Sequence, residues 1–267
     1  MDVLATHGKA RAWPALAGFM LDLLLAVLLL LALTLFCGLA WAVARGVQLG
    51  IGGADLANLP VLVNDMGPPS AIATIWMTLV STGGAAVIMY AWRHRATQAE
   101  RLQSRQAAGR VDTWGWVVLT GVATFIFSAA LSLLGERYGI RPQPSNLPLI
   151  QAAANASPVF MMLFGVLIAP AYEELLFRRV LFGRLWAAGK PWLGVFLSSA
   201  AFALMHEIPG VGGNSWQATG LLWAVYGFMG AAFAMLYWRT RTLWACIGAH
   251  ALNNVIALTL LSLSATA

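Results

Sequence analysis

Seven long apolar stretches constrain the fold of this chain more than any other feature. They cover about residues 14–44, 70–92, 114–135, 158–187, 191–207, 217–238 and 242–263. Most of them reach the roughly 20 residues that a helix needs to cross a bilayer. Hydrophobic residues make up 60% of the chain and charged residues only 10%, which is unlike a soluble protein. The sequence therefore predicts an all-α, polytopic bundle of about seven transmembrane helices, with an eighth hidden in the long first stretch or elsewhere as the open alternative.

The first stretch is predicted to be a retained helix and not a cleaved signal peptide. Its length, about residues 14–44, exceeds the 7–15 apolar residues of a signal-peptide core. It is long enough to tilt or to extend past the membrane. In the fourth stretch, Pro170 is expected to kink the helix. The segments 45–69, 136–157 and 207–220 are rich in turn-forming residues, and we expect them to be linkers.

Positive charge is predicted to orient the chain in the membrane and not to bind nucleic acid. The net charge of +6 comes from 16 Lys and Arg against 10 Asp and Glu. We assign the arginine-rich loop 93–110 to the cytoplasmic side. The other segments on that side of the alternating helices are then also richer in Lys and Arg than the segments on the opposite side. These cytoplasmic cations would be Lys9, Arg11, Arg93, Arg95, Arg101, Arg105, Arg110, Arg184, Lys190, Arg239 and Arg241. The opposite side receives only Arg45, Arg137 and Arg141. We therefore expect a cytoplasmic N-terminus and no nucleic-acid partner.

Three polar motifs interrupt the late apolar stretches. Glu173-Glu174-Leu-Leu-Phe-Arg178 places Glu174 and Arg178 four residues apart, so they share a helix face and can pair. Glu173 then points about 100° away and lacks that partner. Phe202 and His206 are also four apart, as are His250 and Asn254. Ionisable residues inside a membrane are costly, so each is a candidate for a functional site.

The register of the fourth and fifth stretches brings two of these motifs to one depth. A tight turn near Lys190 should make the two helices antiparallel, and Glu174 and His206 each lie 16 residues from it. At about 1.5 Å per residue, both lie about 24 Å from the turn. We expect His250 to reach a similar depth from the last helix.

Two chemistries fit the three motifs. A carboxylate beside a histidine can hold and deprotonate a water molecule, and a second histidine with an asparagine can donate to an oxyanion. Alternatively, Glu173, His206 and His250 could hold a divalent metal such as zinc. Each motif alone could also be structural: a packed histidine, or an arginine that snorkels to the surface. Arg179 and Arg184 are expected to face the cytoplasmic side.

Other polar and reactive residues are expected to be structural. Cys37 and Cys246 lie within apolar stretches and form no metal or redox motif, so we expect small packing residues. Asp22 is expected to lie near the membrane interface. His206-Glu207 is not followed by the second histidine of an HExxH zinc motif.

The ordered motifs EExxxR, FxxxH and HxxxN resemble the CPBP family, the CAAX prenyl endopeptidase type II and bacteriocin-processing proteases. The resemblance covers about residues 158–263 and implies a membrane helix bundle with a water-accessible site inside it. It implies that Glu173 activates water with the help of His206. His250 and Asn254 would stabilise the oxyanion, and Glu174, Arg178 and Phe202 would support the site. It favours a mechanism without a cofactor, although zinc remains an alternative.

The resemblance also implies a division of the chain and a class of substrate. Residues 1–157 would supply N-terminal helices and residues 158–267 the protease core, within one membrane domain. The substrate would be a membrane protein or a lipidated peptide in the lipid bilayer. The short loops and the absence of soluble domains in the sequence favour a bacterial cytoplasmic membrane as the location. A non-catalytic scaffold or immunity factor of the same family is the main alternative. A transporter with a proton-relay Glu/His pair ranks last, because inverted repeats are not evident.

Overall fold

The computed structural model describes residues 12–55 and 57–266, and within them ten helices and no strands. The helices are α1 (Ala12–Ile51), α2 (Leu59–Met66), α3 (Ala71–Arg93), α4 (Gln98–Ala108), α5 (Val111–Arg137), α6 (Leu147–Ala156), α7 (Pro158–Ala187), α8 (Pro191–His206), α9 (Trp216–Thr240) and α10 (Leu243–Thr266). Lys9 and Arg11 lie outside the described residues.

All seven predicted apolar stretches form helices, and six of these are long and apolar enough to cross a membrane. The seventh, α8, is apolar but has only 16 residues. The alternative of a further span hidden in the first stretch is wrong, because α1 is one continuous helix of 40 residues. The additional helices α2, α4 and α6 are short and lie in the segments between the predicted spans.

Side-chain caps explain where several helices begin. Ser70 accepts from the amide of Ala73 at the start of α3, and Ser215 accepts from Ala218 at the start of α9. Thr97 and Glu100 form a reciprocal capping box on α4. The part of the predicted linker that precedes α9 is irregular, with positive φ at Gly210, Gly212 and Gly213. These caps and glycines fix the boundaries that hydrophobicity alone leaves open.

Helix α7 lies at the centre of the bundle and contacts α1, α3, α8, α9 and α10. It continues through Pro170, with wide π-helical turns at Phe164–Ile168 before it and Leu175–Phe182 after it. Proline cannot donate the usual backbone hydrogen bond, and wide turns are one way in which a helix accommodates that loss. Such turns are frequent at functional sites, and the second one begins directly after Glu174.

Small residues allow the helices around α7 to pack closely. A Cβ atom on Gly230 of α9 would lie only 2.9 Å from the Cα atom of Ser199 on α8. A Cβ atom on Gly121 of α5 would lie 2.8 Å from the carbonyl oxygen of Ala249 on α10. These contacts are typical of membrane helix packing, in which small residues let backbones approach. They hold α8 and α10, the helices that carry His206 and His250, in position beside α7.

Candidate active site

The predicted pairing of Glu174 with Arg178 is confirmed at the centre of the bundle. Both side chains are fully buried, and Arg178 Nε donates to Glu174 Oε2 over 2.7 Å. The guanidinium lies over three aromatic rings, at 4.9 Å from Phe202 and 5.8 Å from Phe177 and from Phe233. Cation–π contacts of this kind help to stabilise a charge that is removed from water. Phe202 therefore packs against the arginine, next to the predicted site residues.

Glu174 also orients His250. The Nδ1 atom of His250 lies 3.0 Å from Glu174 Oε1. A carboxylate accepts hydrogen bonds, so we assign the proton of this contact to Nδ1. The Nε2 atom, at the opposite edge of the imidazole ring, then points away from Glu174 and lies 3.9 Å from Glu173 Oε2.

His206 is held in a similar way on α8. Its Nδ1 atom lies 2.9 Å from the carbonyl oxygen of Phe202, which can only accept a hydrogen bond. The imidazole packs between the rings of Phe202 and Tyr226, with centroid distances of 4.2 and 4.5 Å. These contacts leave Nε2 free to face α7, where it lies 3.7 Å from Glu173 Oε2.

Glu173 is the residue on which the two histidines converge. Its side chain is 17% exposed, but Oε2 is buried and has no hydrogen-bond partner in the protein. The Nε2 atoms of both histidines point towards this oxygen at 3.7 and 3.9 Å, which is too long for a direct hydrogen bond. Polar groups at such a separation are commonly bridged by a water molecule. The sequence-based expectation that Glu173, His206 and His250 reach one depth is confirmed.

Asn254 lies next to this cluster but is already engaged. Its Nδ2 atom donates to the carbonyl oxygen of Gly165 over 2.8 Å, which connects α10 to the first wide turn of α7. Its Oδ1 atom accepts from Asn253. An amide has two N–H donors, so one remains for another partner.

The predicted alternative of a metal site rests on Glu173, His206 and His250. Across residues 12–55 and 57–266, no group of three or more His, Cys, Asp or Glu side chains is arranged to hold one metal ion. The two Nε2 atoms and Glu173 Oε2 face one another, but they do not form a compact ligand set.

Three residues that support His206 were not found by sequence reasoning. Tyr226 of α9 stacks on its ring. Glu207 is buried and accepts from the amide of Ser145 over 2.7 Å, and Ser145 Oγ donates to the carbonyl of His206. The segment before α6 is thus tied to the end of α8. Only Glu207, which adjoins His206, could have been suspected from the sequence.

Arg179 and Arg184 of α7 and Asp22 of α1 also form ion pairs. Arg179 binds Glu100 of α4 through two hydrogen bonds of 2.8 and 2.9 Å. Arg184 binds Asp22 over 2.7 Å, and Arg93 and His94 bind the same carboxylate. The sequence led us to expect Asp22 near the membrane interface, and it did not predict these three partners. The side chain of Asp22 is fully buried among them.

Comparison with known proteins agrees with the motifs. The family model described as type II CAAX prenyl endopeptidase Rce1-like matches residues 155–256. The resemblance to this family is confirmed there. All seven motif residues, from Glu173 to Asn254, lie in the matched segment, and the match supports a membrane protease at the level of the family.

Two curated relatives extend the comparison. The chain is 30% identical over 151 residues to the "Putative membrane peptidase YdiL" of Bacillus subtilis (strain 168), covering 55% of this chain and 57% of that protein. It is 30% identical over 146 residues to the "Membrane-embedded CAAX protease MroQ" of Staphylococcus aureus (strain USA300), covering 52% and 54%. The chain thus matches little more than half the length of these relatives. No solved structure matches it significantly.

Proposed function

We propose that this protein is an intramembrane endopeptidase in which Glu173 is the general base. The observation that carries the proposal is the buried Oε2 atom of Glu173, which lacks a hydrogen bond and faces the Nε2 atoms of His206 and His250 at 3.7 and 3.9 Å. An oxygen and two imidazole nitrogens at these distances can hold one water molecule beside a peptide bond.

In the proposed reaction, Glu173 takes a proton from this water while His206 orients it. The hydroxide attacks the peptide carbonyl carbon, and a tetrahedral oxyanion forms. Protonated Glu173 then donates its proton to the leaving amine, and the C–N bond breaks. No covalent enzyme intermediate is needed.

His250 and Asn254 are the proposed oxyanion donors. The Glu174 carboxylate accepts from His250 Nδ1 and so orients the ring with Nε2 towards the site, where a proton on Nε2 would be donated to the oxyanion. Asn254 would donate its second N–H, since the first is used by Gly165. Glu174 and Arg178 act as positioning residues in this scheme, because they orient His250 and do not reach the substrate.

The proposed substrate is a membrane protein or a lipidated peptide. The site lies within a helix bundle that carries many exposed apolar side chains, so a substrate anchored in the bilayer would lie beside it. The names of the matched family and of the Staphylococcus aureus relative both contain the term CAAX. A farnesylated peptide ending in a CAAX sequence, together with its unprenylated counterpart, is therefore the first probe.

The test is a comparison of Glu173→Gln with Glu136→Gln in the purified full chain. Glu136 is an exposed glutamate of α5 outside the site, and its substitution is expected to leave turnover unchanged. Glu173→Gln should lower kcat by about 10²–10⁴-fold, which is the range of general-base catalysis. Unchanged thermal unfolding would show that the loss is chemical. Normal turnover by Glu173→Gln would contradict the proposal.

Two further measurements separate the alternatives. Activity that is lost on chelation and restored by zinc would favour the metal mechanism with Glu173, His206 and His250 as ligands. Full complementation of a deletion strain by both Glu173→Ala and His206→Ala would favour a scaffold or immunity factor.

We also propose a bacterial cytoplasmic membrane as the location, with the N-terminus and the loop that contains α4 on the cytoplasmic side. A cysteine introduced at Gln106 should react with an impermeant thiol reagent only in inverted vesicles, and one at Gln143 only in right-side-out vesicles. Cys37 and Cys246 are buried and should add little background. The reverse labelling pattern would contradict this orientation.

A further inference from the structure

A cavity is present outside the proposed active site. It has a volume of about 490 Å³ and lies between α4, the second half of α7 and the junction of α9 with α10. This volume is in the range of small-molecule sites. The hydroxyl group of Ser104, which lines the cavity, is hydrogen-bonded over 2.8 Å to that of Thr242, and this contact joins α4 to the α9–α10 junction. We call it the arginine-lined pocket.

The lining of this pocket has a surplus of positive charge. It contains the four arginines Arg101, Arg105, Arg179 and Arg241, but Glu100 is its only carboxylate. Glu100 is already bound on both oxygens by Arg179, which lowers the pKa of its carboxyl to about 2. Arg101, Arg105 and Arg241 form no ion pair with any carboxylate in the described part of the chain, so their charge is available to an anion.

Arg241 has an unusual backbone conformation at the edge of the pocket. With φ of 56° and ψ of 25°, it is the one described non-glycine residue in the left-handed region. This conformation is unfavourable for a residue with a Cβ atom, and such residues are often found at ligand sites. It places the guanidinium 5.2 Å from the ring of Trp186, which also lines the pocket. A glycine or asparagine would cap α9 with less strain, so the arginine side chain itself is the feature to explain.

We propose that the arginine-lined pocket binds a phosphate group, most simply that of an anionic phospholipid headgroup. Guanidinium groups match phosphate oxygens in geometry and charge. Trp186 and Trp244 line the same pocket as the arginines, and tryptophan beside cations is typical of the headgroup region of a membrane. The proposal does not depend on peptidase activity, since none of these residues belongs to the proposed catalytic set.

The pocket also adjoins the proposed active site along the chain. Leu175, which lines it, directly follows Glu174, and Ile247 lies one turn before His250. A bound phosphate group would therefore contact the second wide turn of α7 and the first turns of α10.

The test measures the thermal unfolding of the purified full chain in a neutral detergent. Dioctanoyl phosphatidylglycerol, dioctanoyl phosphatidylcholine and inorganic phosphate are titrated separately, because a ligand that binds the folded state raises the melting temperature in a saturable way. The pocket variants are Arg105→Gln and Arg241→Asn, the latter chosen because asparagine tolerates a left-handed backbone. The matched control is Arg95→Gln, an exposed arginine of the same loop that does not line the pocket.

We expect saturable stabilisation by phosphatidylglycerol and none by phosphatidylcholine. Each pocket variant should weaken the apparent affinity about tenfold, which corresponds to the loss of one hydrogen bond to a charged group, and Arg95→Gln should leave it unchanged. Binding of inorganic phosphate with the same dependence on Arg105 and Arg241 would support the site and identify a soluble phosphate compound as its ligand. Equal stabilisation by phosphatidylcholine, equal behaviour of pocket and control variants, or no stabilisation by any probe would overturn the proposal.

Discussion

At the scale of single residues, the buried pair of Glu174 and Arg178 decides both stability and the orientation of His250. Arg178→Met leaves the Glu174 carboxylate buried without its cation, and breaking a buried ion pair in this way costs about 3–5 kcal/mol. We therefore expect a much lower melting temperature for this variant. The double variant Glu174→Leu/Arg178→Met removes both charges and should recover most of the stability.

Activity should not recover with stability in that double variant. His250 loses the acceptor of its Nδ1–H when Glu174 is replaced, so kcat should stay low although the protein is folded. Thermal unfolding and turnover measured on the same preparations separate the two effects. A double variant as unstable as Arg178→Met would show that the pair does not act as described.

At the scale of elements, α4 is held against α7 by an ion pair that responds to acid. The guanidinium of Arg179 holds the pKa of Glu100 at about 2, below its ordinary value of 4.5. When α4 is detached from α7, Glu100 takes up a proton near pH 4.5, whereas Glu100 that is paired with Arg179 remains ionised. The ion pair therefore stabilises the attached state of α4 fully above pH 4.5, and this stabilisation is lost as the pH falls towards about 2.

Pepsin offers a measurement in this pH range. Cleavage in α4, for example at the exposed Leu102, should accelerate in the wild type between pH 4 and pH 2. In Glu100→Gln it should be fast throughout, because this variant lacks the titrating carboxylate. An unstructured reference peptide corrects for the pH dependence of pepsin itself. Identical profiles for the two proteins would refute the role of the pair.

At the scale of the whole molecule, Asp22 connects the long first helix to the rest of the bundle. Its carboxylate binds Arg93 at the end of α3, His94 directly after it, and Arg184 of α7. Burial lowers the pKa of His94, so the imidazole is neutral at pH 7 and the two arginines supply the positive charge. The cluster is the main polar contact between α1 and the helix that carries Glu173.

Asp22→Asn should therefore destabilise the protein by about 2 kcal/mol, less than a fully buried pair because both arginines are partly exposed. The matched control is Asp112→Asn, whose exposed partner is Arg110. Thermal unfolding should show a lower melting temperature for Asp22→Asn and no change for Asp112→Asn. Equal melting temperatures for both variants would show that α1 is held by apolar packing alone.

The sequence predicted the seven long helices and the pairing of Glu174 with Arg178 because both follow from local spacing. Apolar runs define helices, and pairs four residues apart define faces, so the separation of Glu173 from the Glu174–Arg178 pair follows from the order of residues alone. The residues that sequence reasoning missed are joined over long distances. Asp22 and Arg184 are 162 residues apart, and Ser145 and Glu207 are 62 apart, and no local pattern links such partners. Tyr226 lacks any such signal, since an aromatic residue in a membrane helix normally indicates packing alone.

The shortness of α8 has a consequence for how water reaches the site. Its 16 residues span about 24 Å, whereas the hydrocarbon layer is about 30 Å thick. Unless the bilayer thins beside it, the end that carries His206 lies below the lipid headgroups. The irregular segment that follows, with its glycines and Asn214, would then lie at membrane depth. The proposed hydrolase needs water as its second substrate, and we expect this mismatch to give water a path to Glu173.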